Sequence, residues 1–495
     1  MGIVFRQSIK TTLVTSLGAM MGLLIVYLST KFIPKQELGF SRTLLNQAVI
    51  GSQLVLMGMH TTMFVLVPRY GVEDIRRKVL IAISLLTPLV FTALFSLFYF
   101  YFKPFIVAQY QQQDIVFVSK YFAWLPVYTL LWGFMSMLEL YLNSQMKVAA
   151  SIFVREIVLR VLNIALILLL GYGMIDFDIF VVCSVLVHAL PVAILFLLST
   201  RTEGFGISWK LNSLSIEEKK STAEFAVFHL FLNVSISLLI YIDAVMVAAL
   251  DKTGMEAAAV YFVAQSISAI YQIPYRALAN ASTPAINKAY REDDMISVAD
   301  MFSRTAINTL IVTVAMCAVI ISNLNNAVLV IGVAYSSIPM VVMILMLGRT
   351  FDMITGINTE VLSFSKYYKV NFYISCVLVV IVILFNYLLI PKWGIYGAAW
   401  STVFSLFIFN AIKWQFMRVK MQIQPFSKNT IKVLICGAIV AVVGYYLPYM
   451  FNPYIDTLIR TIIIVFLYGI LIIYVQPSDD LKKYLLSVKK DKRLF

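Results

Sequence analysis

Ten polar or ionisable residues interrupt long apolar runs, and their spacing places them in three groups. Asn46, Gln53 and His60 recur every seven residues. At about 100° per residue they share one helix face. His229, Asn233, Ser237 and Asp243 fall within an arc of about 120°, and Gln265, Gln272 and Arg276 within about 40°. A charge at mid-bilayer costs roughly 2.5–3.5 kcal/mol, so such a residue faces a cavity or a partner. Arg276 is the group whose burial most requires an anion, because a guanidinium stays charged and presents a donor fork. His60 stands eight residues before Pro68, as Arg276 stands eight before Pro284. The residues alone leave two readings open. One is a cationic patch (Arg276, His60, His229) that grips an anion, with Gln265, Gln272, Asn233, Gln53 and Asn46 offering amide hydrogen bonds. The other is helix packing, with Arg276 on helix carbonyls and neutral core histidines. Asp243 lies roughly 20 Å from Arg276 at 1.5 Å rise per residue, too far for a simple ion pair. It is the candidate ion-coupling group.

The elements that must position these residues follow from composition. The chain has 495 residues, 61% hydrophobic and 13% charged, with mean hydropathy +0.88. An ordinary soluble protein is about half apolar and about a quarter charged, so that class is excluded, as is disorder. Apolar runs delimit fourteen expected spans, at 8–30, 43–67, 79–102, 120–142, 152–172, 177–198, 223–250, 257–282, 303–323, 327–350, 369–390, 394–417, 430–450 and 457–476. The first is too long for a signal peptide and lacks a cleavage pattern, so it is expected to stay as a helix. The reading is an all-α polytopic membrane protein.

Lys and Arg test the order of spans. With the N-terminus inside, 29 of the 39 fall on inner segments and eight on outer ones. That asymmetry expects both termini in the cytoplasm. The net charge of +14 then serves orientation, and no nucleic-acid partner is expected. The longest inner loop divides two six-span halves. The expected organisation is a bundle at 1–200, a linker at 201–221, a second bundle at 222–420, two further spans at 421–476 and a basic tail at 477–495. Tyr27–Pro68 and Tyr241–Pro284 match as a parallel repeat. The last two spans read as an appendage facing lipid, and the tail as lying on anionic inner-leaflet lipid.

Other ionisable groups read as structural. Glu139, Arg155, Glu156 and Arg160 are expected to form a salt-bridge cluster, and Gly18 with Gly22 to allow a close helix approach. Cys183, Cys317, Cys376 and Cys436 lie in apolar runs, so neither a disulfide framework nor a zinc site is expected. Asp176-Phe177-Asp178 spells a DxD, but in a short turn with no domain to hold a nucleotide sugar. HExxH, P-loop and GxSxG motifs are absent, so no enzyme, metal or cofactor is expected.

Several segments resemble the multidrug/oligosaccharidyl-lipid/polysaccharide (MOP) exporter superfamily, within it the polysaccharide-biosynthesis flippases. They are Arg6-Gln7-Ser8-Ile9-Lys10-Thr11-Thr12, Ile273-Pro274-Tyr275-Arg276-Ala277-Leu278, Thr283-Pro284-Ala285-Ile286, Thr355-Gly356-Ile357-Asn358 and Ser365-Lys366-Tyr367-Tyr368. Ile390-Pro391-Lys392-Trp393-Gly394-Ile395-Tyr396-Gly397-Ala398-Ala399 is the most recognisable. The resemblance implies two six-helix bundles in a V around a cavity, in the cytoplasmic membrane of a bacterium. It implies alternating access that moves a lipid-linked, undecaprenyl-diphosphate oligosaccharide from the inner to the outer leaflet for cell-surface polysaccharide. Arg276 is the residue consistent with that family. A monomer is the expected state, with membrane lipids and other polysaccharide-assembly membrane proteins as partners. Neighbouring alternatives are a cation-coupled multidrug exporter, a lipid II flippase and, more distantly, a membrane-embedded glycan polymerase or transferase.

Overall fold

A computed structural model describes residues 2–483; side chains are described from residue 11 onward, except at positions 12, 272–274, 276, 277, 280, 281, 284 and 368. Among the described residues the regular secondary structure is helical. In order these are α1 (Gly2–Phe32), α2 (Lys35–Leu56), α3 (Met59–Leu66), α4 (Ile75–Tyr101), α5 (Lys103–Val107), α6 (Ile115–Lys120), α7 (Trp124–Ser144), α8 (Val148–Phe153), α9 (Leu159–Gly171), α10 (Phe177–Leu186), α11 (Ala189–Thr200), α12 (Ile216–Leu250) and α13 (Met255–Ala269). There follow α14 (Ile273–Arg291), α15 (Met295–Ser322), α16 (Leu324–Ile331), α17 (Ile338–Ile354), α18 (Asn358–Phe364), α19 (Tyr368–Phe416), α20 (Lys428–Tyr446) and α21 (Pro453–Val475).

Ten of the described helical segments are long and apolar enough to cross a membrane, or eleven when the bent α2/α3 pair counts as one. The difference from fourteen has local causes. A π-helical turn at Val154–Val158 splits the 152–172 segment, and α9 keeps only 13 residues. The 257–282 segment is divided between α13 and α14 by a 3-10 turn at Ile270–Gln272. α19 contains two expected spans. Gly394 adopts φ 56°, ψ −136° inside it and reverses the chain. The two arms then pack together: Ser401 Oγ donates to the Val382 carbonyl at 3.3 Å, and the Phe385 and Phe404 rings lie 6.0 Å apart. A Cβ at Gly397 would stand 2.3 Å from the Leu389 carbonyl oxygen, so only glycine permits that reversal.

The chain forms two compact units, Met1–Phe262 and Val263–Phe495. In the first, Leu56, Met63, Leu80, Ile81, Met137 and Tyr141 form a dry core between α2, α3, α4 and α7. In the second, Leu310, Val314, Val433, Val440, Ile464 and Tyr468 pack α15 against α20 and α21. Outward faces carry large apolar side chains, such as Leu97 and Phe98 on α4 and Phe466 on α21. A surface of that kind belongs in hydrocarbon, where helices satisfy their own backbone. The chain is a multi-pass membrane protein.

Helix starts are marked as the sequence chemistry requires. Asp74 caps α4 by accepting from the Arg76 amide at 2.8 Å, and Ser215 with Glu218 builds a capping box on α12. The DxD pair is used the same way. Asp176 caps α10 at the Ile179 amide, 2.8 Å, and Asp178 receives Lys120 at 2.5 Å and the Tyr121 hydroxyl. The described residues contain no cluster of three or more metal-ligating side chains.

The last two helices are more polar inside than their sequence suggests. Asp456 is fully buried and bonds Arg460 Nε at 3.0 Å. Asn326 on α16 donates to the same carboxylate at 2.5 Å, and Arg460 Nη1 donates to the Gly444 carbonyl at 2.6 Å. This buried pair ties α20 and α21 to α16 within their unit.

Candidate functional site

The first unit contains a broken helix. Met57 (φ 47°) and Gly58 (φ 73°) leave the right-handed region, and the chain bends by 58° between Lys35–Leu56 and Met59–Arg69. A Cβ at Gly58 would stand 2.0 Å from the Ala226 carbonyl oxygen and 2.7 Å from the Leu230 amide nitrogen. The break is thus pressed backbone-to-backbone on α12. The seven-residue face expected for Asn46, Gln53 and His60 is cut by this bend, because Asn46 and Gln53 belong to α2 and His60 to α3.

The bend places α3 beside the polar face of α12. Asn233 Nδ2 donates to Thr61 Oγ1 at 3.1 Å. His60 is 5% exposed, and its Nδ1 is buried with no hydrogen-bond partner among the described residues. His229, one turn before Asn233, is half-buried between the Phe225 and Phe228 rings, at 4.3 and 5.5 Å. Gln53 Nε2 donates to Ser52 Oγ at 3.2 Å, and Asn46 is partly buried. Asp243 is buried near the other end of α12, where the Tyr261 hydroxyl donates to it at 3.2 Å. Of the expected residues, Asn233 ties α12 to α3 through Thr61, a residue not expected, while Asp243 lies toward the other end of α12.

The second unit repeats the feature. The 3-10 turn at Ile270–Gln272 interrupts the helix, and Arg276 lies in the first turn of α14. The side chains of Gln272 and Arg276 lie outside the described residues. Gln265 is partly buried on α13. Interrupted helices are features that form substrate sites in secondary transporters.

Two charged constellations were not legible as such. Lys413, expected to mark an inner loop, is fully buried in α19. Its Nζ donates to Thr359 Oγ1 at 2.8 Å and sits 3.9 Å from the Phe409 ring centre. Around it Asn410 Nδ2 donates to Asp352 at 3.1 Å, and Tyr275 donates to Glu360 at 3.0 Å. The signal was the apolar turn on both sides of Lys413. The second is Arg42. Ile33 and Pro34 alone separate α1 from α2, so the expected outer loop before residue 43 is mostly helix, with Arg42 two turns inside α2. The signal was its spacing: Arg42, Asn46 and Gln53 share a face at about 100° per residue.

The expected cluster at Glu139 is present. Arg155 reaches Glu139 at 2.9 Å and Glu156 at 3.2 Å, and Arg160 reaches Glu156 at 2.5 Å and the Gly18 carbonyl. A Cβ at Gly18 would meet Glu156 at 2.6 Å, and one at Gly22 would meet Arg160 at 2.7 Å. The GxxxG pair of α1 therefore makes room for a charged network carried on the π-helical turn.

No family model matches the chain. A capsular polysaccharide biosynthesis protein, CapF of Staphylococcus aureus, is 30% identical over 130 residues, 25% of this chain. The match spans about a third (32%) of that relative's length. Among solved structures, a lipid II flippase MurJ in an inward closed conformation superposes with TM-score 0.75 and 14% identity, covering 94% of this chain and 99% of that one. An inward-facing multidrug resistance MATE family transporter of the MOP superfamily gives 0.67 and 14%, covering 83% and 98%. A MOP superfamily transporter from Pyrococcus furiosus gives 0.56 and 13%, covering 85% and 95%. These structures are transporters, and the chain shares their fold.

Proposed function

We propose that the chain is a flippase that moves a lipid-linked oligosaccharide, of the undecaprenyl-diphosphate class, from the inner to the outer leaflet of a bacterial cytoplasmic membrane by alternating access. The observation that carries the reading is the pair of interrupted helices, α2/α3 and α13/α14, with His60 and Arg276 each in the first turn after the break. A helix start supplies unpaired amides, and a histidine or arginine there adds a cationic donor. A diphosphate crossing hydrocarbon must be neutralised, and Arg276 is the group we assign to it. His60 and His229 add donors. Asn233, Gln53, Asn46, Gln265 and Gln272 offer amides to sugar hydroxyls. The apolar outer faces suit a prenyl tail. The relationship to a capsular polysaccharide biosynthesis protein favours a glycan cargo over other lipids.

A second reading has a specific observation behind it. Asp243 is a buried carboxylate held by Tyr261, a group able to couple a cation, and MATE transporters share the fold. A cation-coupled drug exporter would use it. A lipid II flippase would use the same cationic groups as the first reading, with the fold of MurJ.

The test is flipping of a labelled prenyl-diphosphate oligosaccharide in proteoliposomes, wild type beside Arg276→Ala and Arg276→Lys. Loss in both variants is the expected result, since a bidentate grip needs the guanidinium. Retention in Lys alone would reduce the role to charge. Full activity in folded Arg276→Ala protein would remove the phosphate site. Efflux of cationic dyes with no glycolipid flipping would establish the exporter reading instead.

A further inference from the structure

Among the described residues, three guanidinium groups within the helices pair with carboxylates: Arg155 with Glu139 and Glu156, Arg160 with Glu156, Arg460 with Asp456. Arg77, buried without a carboxylate, donates instead to Gln145 and to the Glu203 and Gly204 carbonyls. Arg42 has neither kind of partner set. It lies seven residues into α2, about 10 Å along the axis from Lys35. Among the described residues no carboxylate forms an ion pair with it. Its Nη2 donates to Ser29 Oγ at 3.2 Å, and the guanidinium stacks over the Phe262 ring at 4.4 Å. Its Nε is buried and has no hydrogen-bond partner among the described residues. Tyr128 is its further electrostatic neighbour. A cation–π contact and one neutral hydroxyl do not replace the hydration of a guanidinium, which has five N–H donors to satisfy. Asn46 follows one turn later on the same face, and no described residue binds its side-chain amide. The arrangement is a cationic fork, braced on an aromatic ring and a hydroxyl, with donors left over.

We propose that Arg42, with Asn46 beside it, is a binding site for the phosphate-bearing head of a lipid, in the part of α2 that the charge asymmetry places toward the outer leaflet. This rests on the flippase reading for its purpose: the head leaves the inner cationic groups and is received by Arg42 before release. The chemistry is shared by two sources, a prenyl diphosphate cargo and an ordinary anionic phospholipid.

The full-length protein in a neutral detergent is titrated with farnesyl diphosphate, phosphatidylglycerol and farnesol, and bound lipid is read by native mass spectrometry. Wild type is compared with Arg42→Gln and Arg42→Lys, each checked for an unchanged melting temperature. Arg42→Gln should weaken farnesyl diphosphate about tenfold or more and leave farnesol unchanged, with Arg42→Lys between. A loss confined to phosphatidylglycerol keeps the site and assigns it to membrane lipid. Equal diphosphate and phosphatidylglycerol affinity in wild type and folded Arg42→Gln would overturn the proposal. If Arg42→Gln does not fold, Arg42→Lys carries the comparison, and unchanged affinities for both phosphate lipids there overturn it too. Binding is read without transport. Arg42-dependent diphosphate binding in a protein that flips nothing would remove the flippase reading and leave this site standing.

Discussion

Gly58 is the position at which a single methyl group should separate the two helices that hold His60 and Asn233. Its φ of 73° lies in the left-handed region, which costs an L-residue about 1–2 kcal/mol. The added Cβ would also stand 2.0 Å from the Ala226 carbonyl oxygen, more than 1 Å inside ordinary contact. Relieving that overlap forces α3 and α12 apart, an overpacking cost of about 1–3 kcal/mol. Gly58→Ala should therefore lower unfolding free energy by about 2–5 kcal/mol in an SDS titration of detergent-solubilised protein. Gly58→Asn tolerates the backbone angle but not the crowding, so it should fall at least as far. Gly71→Ala is the control, because a Cβ there meets nothing within 4 Å. It should stay within about 0.5 kcal/mol. Transport should fall with Gly58→Ala even where the protein is folded, because the Thr61–Asn233 hydrogen bond spans the same junction. Gly58→Ala with wild-type stability would refute the close-approach argument, and wild-type transport would detach the junction from function.

Asp456→Ala should cost about 3–5 kcal/mol, since it leaves Arg460 buried beside carbonyls alone. Adding Arg460→Met should recover most of that loss in a double-mutant cycle. Gly22→Leu should cost about 1–3 kcal/mol by driving Arg160 off the Gly18 carbonyl and Glu156. The same substitution in an Arg160→Ala background should cost less, which a thermal-melt cycle would show. Hydrogen bonds from Arg76 hold the Asp74 carboxyl below the usual carboxylate range. A lowered carboxyl contributes stability above its unfolded value of about 3.9 and loses it as pH falls through the folded value. The stability gap between wild type and Asp74→Asn should therefore be present at pH 7 and shrink below about pH 4, as read by melting temperature against pH.

The apolar runs by themselves determined that this is a helical membrane protein, because a bilayer admits few other ways to satisfy a backbone. Local chemistry also read directly. The break expected between the spans ending at 390 and starting at 394 falls at Gly394, and the Glu139, Arg155, Glu156 and Arg160 cluster forms as their spacing on adjoining helices requires. The amide and histidine faces were legible as polar stripes, because a helix repeats every 3.6 residues whatever surrounds it. What each stripe faces was not. Periodicity assumes a straight helix, and the break at Met57 and Gly58 turned His60 away from the line of Asn46 and Gln53. Span counting took the longest apolar stretch, so the start of α2 at Lys35, the place of Arg42 inside that helix and the burial of Lys413 were hidden among loop charges. The partners of a buried charge come from helices distant in sequence, as Asn326 and Asp456 do, and only packing brings those together. The sequence determined that most of the chain is apolar helix long enough to cross a membrane. The tertiary structure decided which of its charges are paired with carboxylates and which rest on neutral partners, because such partners come from other helices, as Glu139 does for Arg155 and Ser29 for Arg42.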